Sequence, residues 1–388
     1  MKKIQTLNNI SATGLDLFPR DKYEVASEFS SPDAIVLRSF KMHDMKLPSN
    51  LKAIARAGAG TNSIPIQKCS EKGIVVFNTP GANANAVKEA VLAALLLSSR
   101  GIVNGINWTQ SLKGKGDEVV PLVEKGKSNF AGNEIKGKTL GIIGLGAIGA
   151  MVANDAIKLG MNVIGYDPYL SVDGAWYLSN EVQKATGLET LLSMVDYISI
   201  HVPLLDSTKD MFCQKTFSQM RDGAKLINFA RGGLVNNEDL KIAIKEGKIS
   251  TYITDFPDDS LLGVEGIMPF PHIGASTKES EENCAIMAVN QLKDFLENGN
   301  IKNSVNFPSC SLPRTTGKQR LLIANKNVPD MISKITAKLA KNSINIGDMI
   351  NKSRGDIAYN IIDLQGEIPD KVLKALSSID GIIATRVI

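Results

Sequence analysis

Short apolar runs alternate with helix-like segments along the first part of the chain. Runs at residues 34–38 and 52–56 have the length and composition of strands, and each ends in an arginine. From Ile4 to about Ala94 this alternation predicts a small parallel α/β unit. Helical periodicity then predicts one long helix over residues 86–112, and the polar, glycine-rich stretch over residues 114–137 is expected to be a surface excursion.

A second alternating series begins with an apolar strand at residues 138–144. Further strand-like runs, separated by helical patterns, occupy residues 161–166, 197–202, 225–229 and 250–254. This order is typical of a doubly wound parallel sheet. An amphipathic helix predicted over residues 278–298 would return the chain to the first unit. The sequence therefore predicts a discontinuous domain, residues 1–94 and 285–308, with residues 95–284 inserted in it as a second domain.

After a proline-punctuated linker, residues 318–388 have the pattern of a separate small module. Strand-like runs at residues 319–324, 345–351, 358–364 and 382–388 are interleaved with helical patterns at residues 331–341 and 371–376. The order βαββαβ predicts a small α+β module with a split βαβ arrangement.

The composition is that of a soluble globular protein, and it excludes several functional classes. The chain has 388 residues, 43% of them hydrophobic and 22% charged, which fits two or three folded domains. A net charge of +4 with dispersed lysines does not make a nucleic-acid-binding surface. No apolar run approaches the roughly 18 residues of a membrane span. Four cysteines without close pairing or metal-site spacing indicate reduced thiols, no metal and a cytoplasmic location.

A glycine-rich turn follows the strand at residues 138–144 and opens a helix-like run. In Gly144-Leu-Gly-Ala-Ile-Gly149 the glycines allow a tight turn and close backbone approach to a pyrophosphate, while the helix N-terminus offers N–H groups to the anion. Asp167 ends the next strand, where an acid binds ribose hydroxyls and repels a 2′-phosphate, so NAD is the predicted cofactor. The expected cofactor contacts in these segments, including the end of a third strand, are Gly144, Gly146, Ala147, Ile148, Gly149, Asp167, His201, Val202 and Pro203.

One arginine and one histidine end two later apolar runs. Oxidation of a 2-hydroxy acid requires a base for the hydroxyl proton, a hydride acceptor and a cation for the carboxylate. Arg231 is a permanent cation whose planar donor fork fits a carboxylate, and His272 exchanges a proton near neutral pH. The pair beside a dinucleotide fold therefore predicts hydride transfer on a carboxylic acid.

Several strings in the chain are similar to a known family. They are Leu37-Arg-Ser39, Arg56-Ala-Gly-Ala-Gly60, and residues 78–85, 144–149, 227–233 and 271–277. They resemble the D-isomer-specific 2-hydroxyacid dehydrogenases and, within them, the enzymes that oxidise 3-phosphoglycerate and carry a C-terminal ACT domain. The resemblance implies a flavodoxin-like substrate domain into which an NAD domain is inserted. It also implies oxidation of 3-phospho-D-glycerate to 3-phosphohydroxypyruvate, the first step of L-serine biosynthesis.

The resemblance also extends the set of site residues. A phosphorylated substrate needs a second anion site, which Arg38 and the amide-rich loop after Arg56 would provide. The substrate contacts that it implies are Arg38, Ser39, Arg56, Ala59, Gly60 and Asn85. The further cofactor contacts that it implies are Ala230, Asp255 and Gly274.

The chain departs from the family at the carboxylate that orients the catalytic histidine. The family has a glutamate five positions beyond the aspartate matched by Asp255, and this chain has Ser260 there. We predict that Asp259 takes the role of the glutamate, as a third catalytic residue beside Arg231 and His272. Asp258 is the alternative.

The C-terminal module is similar to ACT domains, which bind amino acids across an interface of paired modules. That likeness implies serine as a feedback inhibitor, with Asn325, Asn327 and Asn345 as candidate contacts. The family often has a histidine at the position of Asn325 and a glycine at that of Asp330, and these departures favour the alternative of a dimerisation module without a ligand. In either case we expect a homodimer or homotetramer.

Two other functions stay open at this point. One is a different 2-hydroxyacid dehydrogenase, which would reduce glyoxylate or hydroxypyruvate; the anion site at Arg38 and the ACT-like module argue against it. The other is a non-catalytic, NAD-sensing binding protein of the same fold. Ser260 favours that alternative, and Arg231 with His272 argues against it.

Overall fold

The chain folds into two compact units. The computed structural model describes residues 1–314 and 318–388. Met1–Asn83 and Lys278–Ile388 form the first unit, and Ala84–Thr277 form the second. The first unit is thus discontinuous in sequence.

The first unit begins with a parallel five-stranded sheet. Its strands are β1 (Lys2–Leu7), β2 (Tyr23–Ala26), β3 (Ala34–Leu37), β4 (Ala53–Arg56) and β5 (Val75–Phe77), in the order β2-β1-β3-β4-β5, with the short helices α1 (Ala12–Leu15) and α2 (Ile66–Glu71). Every residue of β3 is buried, as expected for a parallel strand that is covered on both faces. Because the strands are parallel, Arg38 and Arg56 lie at the same carboxyl edge of the sheet.

The second unit is built on a parallel seven-stranded sheet. Its strands are β6 (Thr139–Ile143), β7 (Asn162–Tyr166), β8 (Gln183–Lys184), β9 (Tyr197–Ile200), β10 (Ala224–Asn228), β11 (Ile249–Thr254) and β12 (Ile267–Pro269), in the order β12-β11-β10-β9-β6-β7-β8. Its helices are α3 (Ala84–Ser99), α4 (Ile102–Ser111), α5 (Val119–Gly126), α6 (Ala147–Lys158), α7 (Val172–Ala175), α8 (Leu188–Met194), α9 (Gln214–Ser218) and α10 (Asn237–Lys245). The strand order reverses at β6, which confirms the doubly wound fold and marks the carboxyl end of β6 as the place where such folds bind ligands.

The single helix predicted over residues 86–112 is wrong, because the structure has α3 and α4 there. Gly101 between them donates its N–H to the carbonyl oxygen of Phe130 at 3.2 Å. The ring of Phe130 also lies on Trp108, with ring centroids 5.2 Å apart. The expected surface excursion therefore folds back as α5 and the 3₁₀ turns Gly116–Glu118 and Lys127–Phe130. This tertiary contact ends the first helix, and local periodicity does not reveal it.

The helix predicted over residues 278–298 is confirmed as α11 (Lys278–Asn298). Its predicted apolar face is buried, and the residues of that face are Ala285, Ala288, Val289, Leu292 and Leu296. They share one hydrophobic core with strand residues of the first sheet, among them Ala55 and Phe77.

The C-terminal module has the predicted βαββαβ order. Its elements are β13 (Gln319–Lys326), α12 (Met331–Lys341), β14 (Asn345–Arg354), β15 (Ile357–Gln365), α13 (Asp370–Ser377) and β16 (Ile382–Val387), and its antiparallel sheet has the order β14-β15-β13-β16. One face of the sheet, with Leu321 and Ile362, packs against the two helices. The opposite face, with Leu322, Tyr359 and Ile361, belongs to the same core as α11. The module is therefore packed onto the rest of the first unit.

A buried ion pair joins this module to the linker before it. The guanidinium of Arg320 is fully buried and donates to both carboxylate oxygens of Asp363, at 2.6 and 2.9 Å. Its remaining donors reach the carbonyl oxygens of Asn298, Leu312 and Pro313 at 2.8 to 2.9 Å. Removing one partner of such a pair leaves a buried charge without compensation.

Arg320→Met is therefore expected to lower the free energy of unfolding by about 3–5 kcal/mol. Urea denaturation followed by circular dichroism measures the effect. Lys326→Met is the matched control, because Lys326 ends the same strand with an exposed side chain, and a change within about 0.5 kcal/mol is expected for it. Equal losses in the two variants would contradict the account.

Candidate active site

The glycine turn after β6 is shaped for close backbone approach. Gly144 has φ of +90°, and a Cβ there would lie 2.7 Å from the carbonyl oxygen of His201. A Cβ on Gly149 would lie 1.9 Å from the carbonyl oxygen of Gly144, so only glycine lets α6 pack this closely. Apart from Gly146 and its two chain neighbours, no described residue has a heavy atom within 4 Å of a Cβ built on Gly146, which precedes the first residue of α6. The amino end of α6, with Ala147 and Ile148, is thus open to an anion.

Asp167 follows β7 and its carboxylate is held beside this turn. One oxygen accepts from the Leu145 N–H at 2.9 Å, and the other accepts from the Tyr169 N–H at 2.8 Å. A cavity of about 610 Å³ lies here, and its lining includes Leu145, Gly146, Ala147, Asp167, Tyr169 and Tyr177. The structure thus brings the glycine turn and the predicted ribose acid together, and the cavity and donors fit part of a dinucleotide.

The end of β9 lies against the glycine turn. A Cβ on Gly144 would also lie 3.0 Å from the side chain of Val202, and Pro203 follows at the surface. Nε2 of His201 lies 2.8 Å from Oγ of Ser199, and desolvation lowers the pKa of His201 to about 3. The imidazole is therefore neutral near pH 7, which fits a cofactor contact rather than a proton carrier.

Arg231 lies in the turn that follows β10. Its side chain is exposed, and Nη1 donates to the carbonyl oxygen of Ala230 at 2.7 Å. Gly233 in the same turn has φ of +81°, which favours glycine. The arginine thus stands at the carboxyl edge of the second sheet with its donor fork accessible.

Asp255, at the end of β11, is buried near both His272 and Arg231. One of its oxygens accepts from the Gly274 N–H at 3.1 Å, and the other, Oδ1, has no hydrogen-bond partner in the part of the chain that the structure describes. Burial raises the pKa of Asp255, and the Gly274 N–H, His272 and Arg231 oppose that rise. His272 is exposed, with its ring centroid 4.6 Å from that of Phe256. The structure therefore groups Arg231, His272, Asp255 and Gly274.

Asp259 is not joined to His272 by a hydrogen bond or ion pair among the described residues. It lies exposed in the 3₁₀ turn Asp259–Leu261. The carboxylate of Asp258 is engaged elsewhere, because it accepts from the hydroxyl of Ser260 and from Nδ2 of Asn237, both at 2.6 Å. Asp255, in contrast, is close enough to His272 that the histidine opposes the rise in the pKa of this aspartate.

The first unit groups its two arginines at the carboxyl edge of its sheet. Nε of Arg56 donates to the carbonyl oxygen of Arg38 at 2.8 Å. The guanidinium of Arg38 is paired with the carboxylate of Glu281, on α11, at 2.5 Å. The N–H of Ser39 donates to Oδ1 of Asn8 at 3.2 Å. Arg38 and Arg56 thus form a cationic cluster, in which Arg38 is already paired with Glu281.

The loop after Arg56 belongs to this cluster, whereas Asn85 is in the second unit. Nδ2 of Asn78 donates to the carbonyl oxygen of Ala59 at 2.7 Å, and a Cβ on Gly60 would lie 3.5 Å from Nη1 of Arg56. Asn85 is exposed on α3 and its Nδ2 donates to Oε1 of Glu89 at 2.8 Å.

Two of the three asparagines predicted to bind an effector lie at one end of the C-terminal sheet. Asn325 is buried, its Nδ2 donates to the carbonyl oxygen of Lys326 at 2.7 Å, and its Oδ1 accepts from Asn360 at 2.8 Å. Asn327 is exposed and donates to the carbonyl oxygen of Gly355 at 3.0 Å. The amide of Asn325 is therefore already used within the fold.

Asn345 lies at the other end of the same sheet. It pairs in register with Gln365, whereas Asn325 pairs with Ala358 on the same strand. Seven positions along a strand span about 23 Å. A single small ligand therefore cannot contact all three asparagines within one chain.

Neither a metal site nor a membrane helix is found in residues 1–314 and 318–388. Those residues contain no group of three or more histidine, cysteine, aspartate or glutamate side chains that would hold a metal ion. No helix in the same ranges is long and apolar enough to cross a membrane.

Sequence reasoning missed two side chains at these clusters, Asn228 and Glu281. Asn228 is the buried asparagine that ends β10, where a polar residue after an apolar run, followed by a turn, was an available signal. No local signal singles out Glu281, because its pairing with Arg38 depends on how α11 packs against the first sheet.

Comparison with known proteins agrees with this geometry. Residues 92–274 match the model of the D-isomer specific 2-hydroxyacid dehydrogenase NAD binding domain. A D-3-phosphoglycerate dehydrogenase of Haemophilus influenzae is 32% identical over 99% of this chain and 94% of its own length. A hydroxypyruvate reductase of Thermotoga maritima is 35% identical over 70% of this chain and 87% of its own length.

A solved structure, the NAD⁺-bound 3-phosphoglycerate dehydrogenase of Entamoeba histolytica, is 26% identical. It aligns over 79% of this chain and 98% of its own, with a TM-score of 0.61. The match to the NAD binding domain confirms the predicted cofactor, and the alignment with the Haemophilus protein covers nearly all of both chains. The chain belongs to the family of D-isomer specific 2-hydroxyacid dehydrogenases.

Proposed function

We propose that this protein oxidises 3-phospho-D-glycerate to 3-phosphohydroxypyruvate with NAD, as the first step of L-serine biosynthesis. The observation that carries the proposal is the likeness, over 99% of the chain, to a protein named D-3-phosphoglycerate dehydrogenase. The grouping of Arg231, His272 and Asp255 at one sheet edge supplies the chemistry, and the cluster around Arg38 and Arg56 supplies a second anion site.

Arg231 binds the substrate carboxylate and His272 takes the hydroxyl proton in this proposal. The planar donor fork of Arg231 suits bidentate contact with a carboxylate and stabilises charge that develops on the C2 oxygen. The imidazole of His272 becomes cationic when it takes the proton, and the carboxylate of Asp255 stabilises that cation. Bound NAD supplies the hydride acceptor.

The cofactor contacts follow from the glycine turn and the ends of four strands. We assign the pyrophosphate to the amino end of α6 and the adenosine ribose to Asp167, whose charge disfavours a 2′-phosphate. We assign a donor on the cofactor to Oδ1 of Asp255, which has no hydrogen-bond partner among the described residues. His201, Val202, Ala230 and Gly274 complete the proposed contacts.

We assign the substrate phosphate to Arg38, with Ser39, Arg56 and the amides of Ala59 and Gly60 as further donors. The ion pair between Arg38 and Glu281 bears on this assignment, because a phosphate must compete with the glutamate for the guanidinium. Glu281 therefore weakens substrate binding in the proposed site.

Glu281→Gln is expected to lower KM for 3-phosphoglycerate about two- to fivefold, since an exposed ion pair is worth up to about 1 kcal/mol. Turnover should change little, and the effect should shrink at high salt. Steady-state kinetics at two salt concentrations measures it. Glu279→Gln, an exposed glutamate in the first turn of the same helix, is the control. A KM for 3-phosphoglycerate that stays constant or rises in Glu281→Gln would contradict the assignment of the substrate phosphate to Arg38.

We assign the C-terminal module to the ACT type. Serine is the proposed effector, and it would bind between paired modules of two chains. The distance between Asn345 and the pair Asn325 and Asn327 supports a ligand held by two chains. The rival is a dimerisation module without a ligand, favoured by the buried and engaged amide of Asn325. Calorimetry with serine and an assay of turnover distinguish the two alternatives. If there is no heat of binding and no inhibition of turnover, the module serves dimerisation only. A homodimer or homotetramer in the cytoplasm is part of the proposal.

A substrate panel tests the proposed activity against the closest rival. NADH formation is measured with 3-phosphoglycerate and with D-glycerate while hydrazine traps the product, and NADH consumption is measured with glyoxylate and hydroxypyruvate. We expect the highest kcat/KM for the phosphorylated substrate. A preference for glyoxylate or hydroxypyruvate would assign the chain to the reductase activity named for the Thermotoga relative.

A further inference from the structure

A buried asparagine lies directly under the turn that carries Arg231. Asn228 is the last residue of β10 and is 1% exposed. A buried amide whose hydrogen-bonding groups have no partners destabilises a fold. The hydrogen bonds of this side chain therefore indicate its role.

Three of the contacts of Asn228 are with the backbone of the Arg231 turn. Its Oδ1 accepts from the N–H of Ala230 at 3.1 Å and from the N–H of Arg231 at 3.4 Å. Its Nδ2 donates to the carbonyl oxygen of Arg231 at 2.9 Å and to the hydroxyl of Tyr252 at 3.3 Å. The amide thus holds Arg231 by both its N–H and its C=O, which fixes the direction in which the residue leaves the strand.

The side chain of Arg231 has no comparable support of its own. It is exposed, and among the described residues its guanidinium makes one hydrogen bond, to the adjacent carbonyl oxygen of Ala230. The direction of the guanidinium is therefore set by the backbone of the turn. A displacement of about 1 Å at a catalytic group costs roughly a hundredfold in rate.

We propose that Asn228 is a positioning residue for Arg231, which holds the turn so that the guanidinium meets the substrate carboxylate. The inference rests on the role that the proposed function gives to Arg231. An amide is required because the turn presents two donors and one acceptor. Leucine, of similar shape, offers neither kind of group, and serine offers an acceptor for the N–H two residues on.

A double-mutant cycle tests the proposal in the full-length protein. The variants are Asn228→Ala, Arg231→Ala and the double variant, each assayed for kcat/KM with 3-phosphoglycerate, for NAD affinity and for Tm. We expect Asn228→Ala to lower kcat/KM about a hundredfold and to lower NAD affinity much less, because Ala230 is the one proposed cofactor contact that Asn228 holds. In the Arg231→Ala background the same change is expected to have no further effect on kcat/KM, although it lowers Tm by the same amount.

Two further variants separate positioning from loss of structure. Asn228→Ser keeps one acceptor and is expected to recover part of the lost kcat/KM, which also keeps the test decisive if Asn228→Ala does not fold. Asn236→Ala is the matched control, because Asn236 also accepts from a backbone N–H, that of Asp239, but contacts neither Ala230 nor Arg231. It is expected to lower Tm while kcat/KM stays within about twofold.

The outcomes distinguish this inference from the proposed function. If Arg231→Ala keeps its activity, the proposed role of Arg231 fails. If Arg231→Ala loses activity but Asn228→Ala keeps it, the positioning role alone fails. Losses that multiply in the double variant would also overturn it, because Asn228 would then act independently of Arg231.

Discussion

His272→Gln is expected to lower kcat for NADH formation from 3-phosphoglycerate by about 10²–10⁴-fold. Glutamine retains hydrogen-bonding groups and a similar length, but it cannot take the hydroxyl proton. Cofactor affinity should be nearly unchanged, because the assigned pyrophosphate and ribose contacts lie at the glycine turn and Asp167. Steady-state kinetics and a fluorescence titration with NAD measure the two quantities.

His201→Gln is the matched control for that change. Because desolvation lowers the pKa of His201 to about 3, its imidazole stays neutral through the working range of pH. The variant is expected to raise KM for NAD while the pH dependence of kcat keeps its shape. If the acid limb of the profile disappears in His201→Gln and persists in His272→Gln, the two histidines have been assigned the wrong way round.

Two more variants test which carboxylate stabilises the cationic form of His272. The charge of His272 opposes the rise in the pKa of Asp255, whereas Asp259 has no hydrogen bond or ion pair to the histidine among the described residues. Asp255→Asn is therefore expected to change the pH dependence of kcat. An unchanged profile and turnover in Asp259→Asn would withdraw Asp259 from the catalytic residues and leave Asp255 in its place.

Arg231→Lys is expected to lower kcat/KM about 10²–10³-fold, comparable to the loss of a donor to a developing oxyanion. Lysine keeps the charge but loses the planar fork, so it cannot make two parallel hydrogen bonds to a carboxylate. The loss should appear with every 2-hydroxy acid tested, because all of them share the carboxylate. Steady-state kinetics with 3-phosphoglycerate and D-glycerate measures it.

Arg221→Lys is the control for the arginine substitution. Arg221 is an exposed arginine of the same unit that pairs with Asp196 at 3.3 Å, remote in sequence from the catalytic turn. A change of less than about twofold is expected for it, because exposed ion pairs contribute little. Equal losses for the two arginines would contradict the assignment of the carboxylate to Arg231.

The fold was predictable wherever the sequence pattern is long and local. The helix over residues 278–298 repeats its apolar face over many turns, and its bounds agree with α11. The break between α3 and α4 was not predictable, because Phe130 ends the helix from a distant position. The short strand β8 was not predicted, since its two residues show no clear period of two.

The candidate site also has features that the sequence predicts and features that it does not. The glycine turn and Asp167 follow from their spacing in the sequence, and the structure brings them together. The pairing of Arg38 with Glu281 depends on how α11 packs, and the separation of Asn345 from Asn325 depends on the register of antiparallel strands. These contacts and distances depend on tertiary structure, so the sequence alone predicted the residues but not their partners.

The most direct test of the account is NADH formation by the purified protein with NAD and 3-phosphoglycerate, with hydrazine present to trap the product. Sustained NADH formation that requires both compounds is expected, and its rate should fall about 10²–10⁴-fold in His272→Gln. Tight binding of NAD without any NADH formation would contradict it, and would show that the chain is an NAD-binding protein without this activity.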